Sequence, residues 1–315
     1  MKALVFRGPG DVRLEDVPRP EPGPGDVLLQ VEVALIDGTD LKAFRRGHPV
    51  LLGEPPSPFG HEVCGVDVAT GRRLVPANSA PCGSCAACRR GTPTQCESLL
   101  PLLNGAYAEY LLVPERIASV NLLRVPDDLP GHVAAMVEPL ACCLHGVEVA
   151  AVQPGQTVAI LGLGPIGLML CACVADTGER PVGVGSRPER RALARLFGAE
   201  LGDGRSADVV IEAAGTQEAW RDALELVRPG GTVVFFGGLP GDAELRVDAH
   251  RLHYEELTLC GSFHHTPRHV KAALAFLASG AYPWERLVTH RIGLDGVARL
   301  LADPPTDLLK AAVLP

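Results

Sequence analysis

The sequence predicts an α/β protein: an all-β segment followed by a doubly wound parallel sheet. Three observations carry that expectation. Thr157–Leu161 is a short apolar run with β-branched residues, as a strand buried on both faces of a parallel sheet requires. It runs into Gly162, Gly164 and Gly167, the spacing G-x-G-x-x-G, followed by a helical stretch Leu168–Ala175 and a second strand near Val182–Val184. Strands and helices then alternate as far as about Phe263, whereas residues 1–36 show only short alternating runs.

In chain order, Lys2–Phe6, Val12–Val17 and Val27–Ala34 read as strands, with the turn-rich Pro18–Asp26 between the last two. Further strands are expected around Glu62–Val68 and Ala106–Val113. From about Leu129 the pattern turns helical: Pro139 opens a run to Ala151, and Pro154–Gly155 stops it. Ala207–Glu212, Thr232–Gly237 and Leu257–Ser262 are the later strands, with Glu218–Val227 a helix between the first two. Arg268–Ala278 reads as a last helix and Ala311–Leu314 as a last apolar strand.

A chain of 315 residues with 47% hydrophobic content accommodates two domains with real cores. A net charge of −8 leaves no basic surface for nucleic acid. Only Lys2, Lys42, Lys271 and Lys310 are lysines. Val158–Ala175 is uncharged and long enough to suggest a membrane span, but three glycines and Pro165 at turn spacing argue against it, so no membrane partner is expected. The start, MKALVF, is a strand rather than a signal peptide, which makes the cytoplasm the expected location. Ten cysteines in such a chain point to metal or redox chemistry rather than disulfides.

Cys82, Cys85, Cys88 and Cys96 read C-x-x-C-x-x-C-x7-C. Four thiolates close in sequence can wrap one tetrahedral ion with no open position, as a structural Zn2+ needs; an iron–sulfur cluster is the less favoured occupant. The other six cysteines lie in apolar runs and read as core.

Gly162, Leu163, Gly164, Pro165, Ile166 and Gly167 form a loop whose backbone N–H groups meet a pyrophosphate at a helix N-terminus. About 20 residues further on, NAD-binding folds carry an acidic residue on the ribose hydroxyls. Here Gly185, Ser186 and Arg187 stand instead, with Arg190 and Arg191 nearby. No carboxylate repels a 2′-phosphate and a guanidinium can pair with it, so NADP is expected over NAD, NAD remaining possible.

The glycine motif, the four-cysteine run, Gly60-His61-Glu62, Asp37-Gly38-Thr39-Asp40 and Glu138-Pro139-Leu140-Ala141 occur in the order of a known family. The chain resembles the zinc-dependent medium-chain alcohol dehydrogenases, in the sorbitol, threonine and sugar dehydrogenase branch. The resemblance implies a GroES-like all-β catalytic domain (residues 1–128 and 264–315, with the zinc lobe at 82–96) beside a Rossmann domain (residues 129–263), with the clefts between them. It implies a catalytic metal site of Asp37, His61, Glu62 and Glu138. Thr39 would relay the alcohol proton and Asp40 would orient His61. Most relatives carry cysteine at the position of Asp37; the acid makes the site harder and lowers its preference for zinc over magnesium or manganese. His264 and His265 fall where the family places residues beside nicotinamide and substrate.

The implied reaction is reversible oxidation of a secondary alcohol, on a polyol, sugar or related polar compound, with one structural and one catalytic Zn2+ and NADP. The implied assembly is a homodimer or homotetramer. Two competing readings stand beside it: a metal-independent reductase of enones or quinones on the same fold, and a non-catalytic nucleotide-binding protein with a degenerate metal site.

Overall fold

The computed structural model describes Met1–Pro315, the side chain of Pro49 excepted. It forms two compact units, one of Met1–Ala141 with Thr266–Pro315, the other of Cys142–His265. The first begins with strands β1 (Lys2–Gly8), β2 (Asp11–Asp16), β3 (Val27–Ile36), β4 (Ser57–Pro58), β5 (Glu62–Asp67), β6 (Arg73–Pro76), β7 (Tyr110–Val113) and β8 (Leu122–Arg124). The second carries β9 (Thr157–Leu161), β10 (Arg180–Val184), β11 (Glu200–Leu201), β12 (Ala207–Glu212), β13 (Val227–Phe235) and β14 (Thr258–Gly261). The chain then returns to the first unit for β15 (Val288–Gly293) and β16 (Lys310–Leu314).

In the first unit, β2-β1-β4 make a small antiparallel sheet, and β15-β16-β3-β5-β6-β8 a larger one in which β7 also pairs with β3. Strand β3 is its spine. Seven of its ten residues are buried, against β1, Phe59 and Tyr107 on one side and the helix Glu115–Asn121 on the other, while Gln30 and Glu32 are exposed.

The second unit is a six-stranded parallel sheet in the order β11-β10-β9-β12-β13-β14, the doubly wound arrangement the alternating pattern implied. Val158, Ala159 and Ile160 of the central β9 are fully buried. The chain leaves β9 through Gly162 and enters the helix Pro165–Asp176. A Cβ on Gly167 would stand 1.8 Å from the Gly162 carbonyl oxygen, so the helix reaches the strand only with a glycine there. One helical run among the described residues, Gly131–Ala150, is long and apolar enough to cross a membrane, but 72% of it is buried as a core helix would be.

Several boundaries differ from those expected. The first unit runs on to Ala141 rather than ending at 128, because the short helix Gly131–Ala134 packs on β3 and β5. Ala106 and Tyr107 are not part of β7: their N–H groups bond Gly60 and Phe59 of the neighbouring loop. Between Ala199 and Ala207 the chain forms one further strand of only two residues, β11, which the sequence pattern did not mark.

Candidate functional site

Three adjacent strands bring the candidate metal ligands together. In the β3–β5 register Leu35 faces Glu62, and in the β16–β3 register Ile36 faces Ala311. Continuing that register sets Lys310 across from Asp37, and since side chains alternate along a strand, Glu62, Asp37 and Lys310 share one face. His61 precedes β5. One ligand atom each from Asp37, His61 and Glu62 lies within 4.8 Å of the others, and all three residues are buried.

Asp37 has a structural task as well. It is the N-cap of the helix Gly38–Arg46, its Oδ1 accepting from Thr39 N at 2.8 Å and Asp40 N at 3.0 Å. Asp40 Oδ2 accepts in return from Asp37 N at 3.0 Å. This reciprocal cap fixes both carboxylates. Thr39, the second residue of the helix, is half-buried. Burial alone would raise the Asp37 carboxyl, but the charges of Lys310 and His61 outweigh it and hold it below the usual carboxylate range.

His61 Nδ1 lies 3.3 Å from Asp40 Oδ1. Burial disfavours the imidazolium, yet Asp40, Asp37 and Glu138 outweigh burial and hold His61 up at about 10. A base raised above its ordinary value stabilises the fold fully below pH 6.5 and ceases to as pH climbs through about 10. A metal taking the other ring nitrogen, Nε2, must displace its proton, so metal affinity is expected to rise with pH across that window, with about one proton released per ion bound. Calorimetry in buffers of different ionisation enthalpy measures this directly; no proton release at pH 7.5 contradicts it.

Glu62 is not a free ligand. Both its oxygens sit 2.7 Å from the Lys310 ammonium, and neither side chain reaches solvent. Burial would lower the Lys310 pKa, but Glu62, Asp37 and Asp40 raise it instead. Lys310 is absent from the sequence-based site; a lone charge opening an apolar strand was the signal for it. Glu138 stands outside the Asp37–His61–Glu62 trio, its Oε1 accepting from the buried Asn78 Nδ2 at 3.0 Å. His61 and Asp37 thus offer a nitrogen and an oxygen donor in a buried, strongly anionic setting, which suits zinc and also harder divalent ions.

The four cysteines converge as well: the Sγ atoms of Cys82, Cys85, Cys88 and Cys96 lie within 4.8 Å of one another, unoxidised. Backbone N–H groups point at the sulfurs, from Cys82 to Cys96 Sγ at 3.2 Å, from Cys85 to Cys82 Sγ at 3.3 Å and from Ser98 to Cys96 Sγ at 3.4 Å. Donors from Ser84 and Cys85 pull the Cys82 thiol down to about 6, while desolvation and its thiol neighbours push Cys88 up to about 12. Four crowded sulfurs cannot all ionise unless a cation lies among them, and the donor set fits zinc.

In the second unit, Gly164 is the N-cap of the helix Pro165–Asp176, Leu163 is buried, and Ile166 lies in the first turn. A pocket of about 420 Å3 opens beside Gly185 and Ser186, lined also by Pro188, Arg191 and Arg195. Arg191 Nη1 donates to Gly185 O at 3.2 Å. Arg187 does not line this pocket; it is the exposed N-cap of the helix Pro188–Leu196, and Arg195, which sequence reasoning passed over, lines the pocket beside Arg191. Gly185 has a packing reason too, since a Cβ there would stand 3.0 Å from Leu163 Cγ. His264 takes a left-handed φ of 66°, its carbonyl 3.0 Å from His145 Nδ1 and its ring stacked on His265.

Residues 23–127 match the family described as alcohol dehydrogenase GroES-like domain, and residues 199–279 that described as zinc-binding dehydrogenase. L-Galactonate-5-dehydrogenase of Escherichia coli K12 is 31% identical over 92% of this chain and 91% of its own length. The chain belongs to the zinc-dependent medium-chain alcohol dehydrogenase family. Another member, the erythritol/L-threitol dehydrogenase of Mycolicibacterium smegmatis, is 32% identical over 93% of this chain and 91% of its own. A zinc-binding dehydrogenase structure from Sinorhizobium meliloti 1021, bound to NADP, superposes with a TM-score of 0.88 at 32% identity, covering 100% of this chain and 99% of that one. Family membership makes this chain an oxidoreductase of the alcohol dehydrogenase kind, with the GroES-like and Rossmann architecture.

Proposed function

We propose that this alcohol dehydrogenase oxidises a secondary alcohol of a polyol, sugar or related polar compound and passes the hydride to NADP, with structural zinc in the cysteine lobe and a catalytic divalent metal at Asp37 and His61. The observation that carries this reading is the convergence of Asp37, His61 and the Glu62–Lys310 pair at one end of three adjacent strands. A divalent metal bound there supplies Lewis acidity toward the alcohol oxygen. Asp40 holds His61 by its Nδ1 side, leaving Nε2 as ligand. Glu62 and Lys310 cancel within the wall of the site. Thr39 Oγ1 takes the substrate proton outward. Glu138 is the further carboxylate whose charge reaches His61. The polyhydroxylated substrates named for relatives support the substrate class.

Gly162 to Gly167 hold the pyrophosphate, and Ser186 with Arg191 and Arg195 receive the 2′-phosphate, in a pocket whose lining contains no carboxylate. The NADP in the Sinorhizobium structure agrees with this. A charge-assisted hydrogen bond contributes about 1.5–3 kcal/mol, so kcat/KM with NADP should exceed that with NAD roughly tenfold or more. Steady-state kinetics over a polyol and sugar panel with both cofactors, alongside metal analysis, test the whole proposal. NADP-preferring turnover with about two metal equivalents per chain is the expected result. Equal or better efficiency with NAD overturns the cofactor assignment, and full activity after exhaustive chelation overturns the metal one.

A further inference from the structure

We propose that Tyr107 is a positioning residue of the metal site: it clamps Asp40 and the Gly60–His61 backbone together, and so sets how firmly His61 holds a metal. The proposal rests on the reading of His61 as a ligand.

Tyr107 is among the largest side chains of the protein that are fully buried. Its hydroxyl donates to Asp40 Oδ2 at 2.6 Å and lies 2.9 Å from the Leu35 carbonyl oxygen. Together with the Asp37 N–H, this pins Oδ2 from two sides. The other oxygen, Oδ1, then lies 3.3 Å from His61 Nδ1, a charged contact short of hydrogen-bond geometry, and neither of these two buried atoms has a hydrogen-bond partner among the described residues. The imidazole's orientation therefore depends on the Asp40 rotamer, and that rotamer depends on the phenol.

The ring acts on the other side of His61. Gly60 has a φ of 93°, and a Cβ there would stand 2.8 Å from three carbons of the Tyr107 ring. The ring thus lies directly on the residue that precedes His61. Gly60 O accepts from Gly105 N at 2.8 Å and Ala106 N at 3.0 Å, and Phe59 O accepts from Tyr107 N at 3.0 Å, which fixes the segment carrying the phenol to the one carrying the imidazole. Ring packing alone would be served as well by phenylalanine. The hydroxyl, 2.6 Å from a buried carboxylate, serves Asp40.

Tyr107→Phe keeps the ring and removes only that hydroxyl. The experiment is zinc release from the full-length, zinc-loaded protein to a chromophoric chelator, with the zinc of the cysteine lobe as internal reference. Removing a partner that orients a metal-bound histidine weakens metal binding 10- to 100-fold, and Tyr107 acts one bond further out, so about tenfold faster release from the His61 site is expected, with the lobe's release unchanged. In an Asp40→Asn background the same substitution should add little, because its effect runs through Asp40. A lowered melting temperature with unchanged zinc release makes the hydroxyl a structural bond only and overturns the proposal. So does a Tyr107→Phe effect of full size in the Asp40→Asn background. If the native protein holds zinc in the lobe alone, the His61 assignment falls and this inference with it.

Discussion

Replacing Lys310 with methionine is expected to destabilise the first unit by about 3–5 kcal/mol, because it leaves a buried carboxylate without its cation. Both Glu62 oxygens lie 2.7 Å from the ammonium and neither side chain reaches solvent, so water cannot take over the charge. Asp37 and Asp40 add to the strain, since each is also drawn to Lys310. The double variant Lys310→Met with Glu62→Gln should recover much of the loss, since burying a neutral amide costs far less than burying a lone charge. Urea unfolding of the two variants beside the parent measures both effects. A Lys310→Met protein unfolding at the parent's urea concentration means that Glu62 is already neutral in the native state.

His61→Ala should reduce turnover by at least about a thousandfold, since Lewis-acid assistance is worth several kcal/mol and each 1.36 kcal/mol is a factor of ten. It should also remove about one metal equivalent while the lobe keeps its own. The substitution deletes the only nitrogen donor of the trio and leaves Asp40 Oδ1 facing a void. Retained metal content with turnover within tenfold of the parent eliminates His61 as a ligand. Fold integrity is read independently from the far-ultraviolet circular dichroism.

Much of the architecture was legible because local pattern and tertiary role coincide there. β9 and β12 begin and end where the sequence pattern places them, since a strand whose centre is buried on both faces stands out from its surroundings. The four cysteines were equally plain, because metal-ligand spacing is a local property. What escaped were features made by long-range register. The helix Gly38–Arg46 has a mostly polar sequence, and its start is marked only by the Asp37–Asp40 cap. β15 pairs parallel to β16, a partnership its polar residues do not announce. Glu62 and Lys310 are 248 positions apart, and only the β5-β3-β16 order joins them. Tyr107 looked like part of a strand, yet it sits in the irregular stretch before β7.

The cap at Asp37 bears on how a metal would be captured. A flexible ligand loses rotamer freedom when an ion binds, and that entropy is subtracted from the affinity. Here the helix has already fixed the side chain through Thr39 N and Asp40 N, with Oδ1 committed to the backbone. The carboxylate meets an incoming ion with its conformational search completed during folding, and binding energy is not drawn off to order it. A ligand that doubles as a helix terminus is held as rigidly as the helix itself, so a hard oxygen donor at this position gains in readiness what it lacks in softness beside a thiolate.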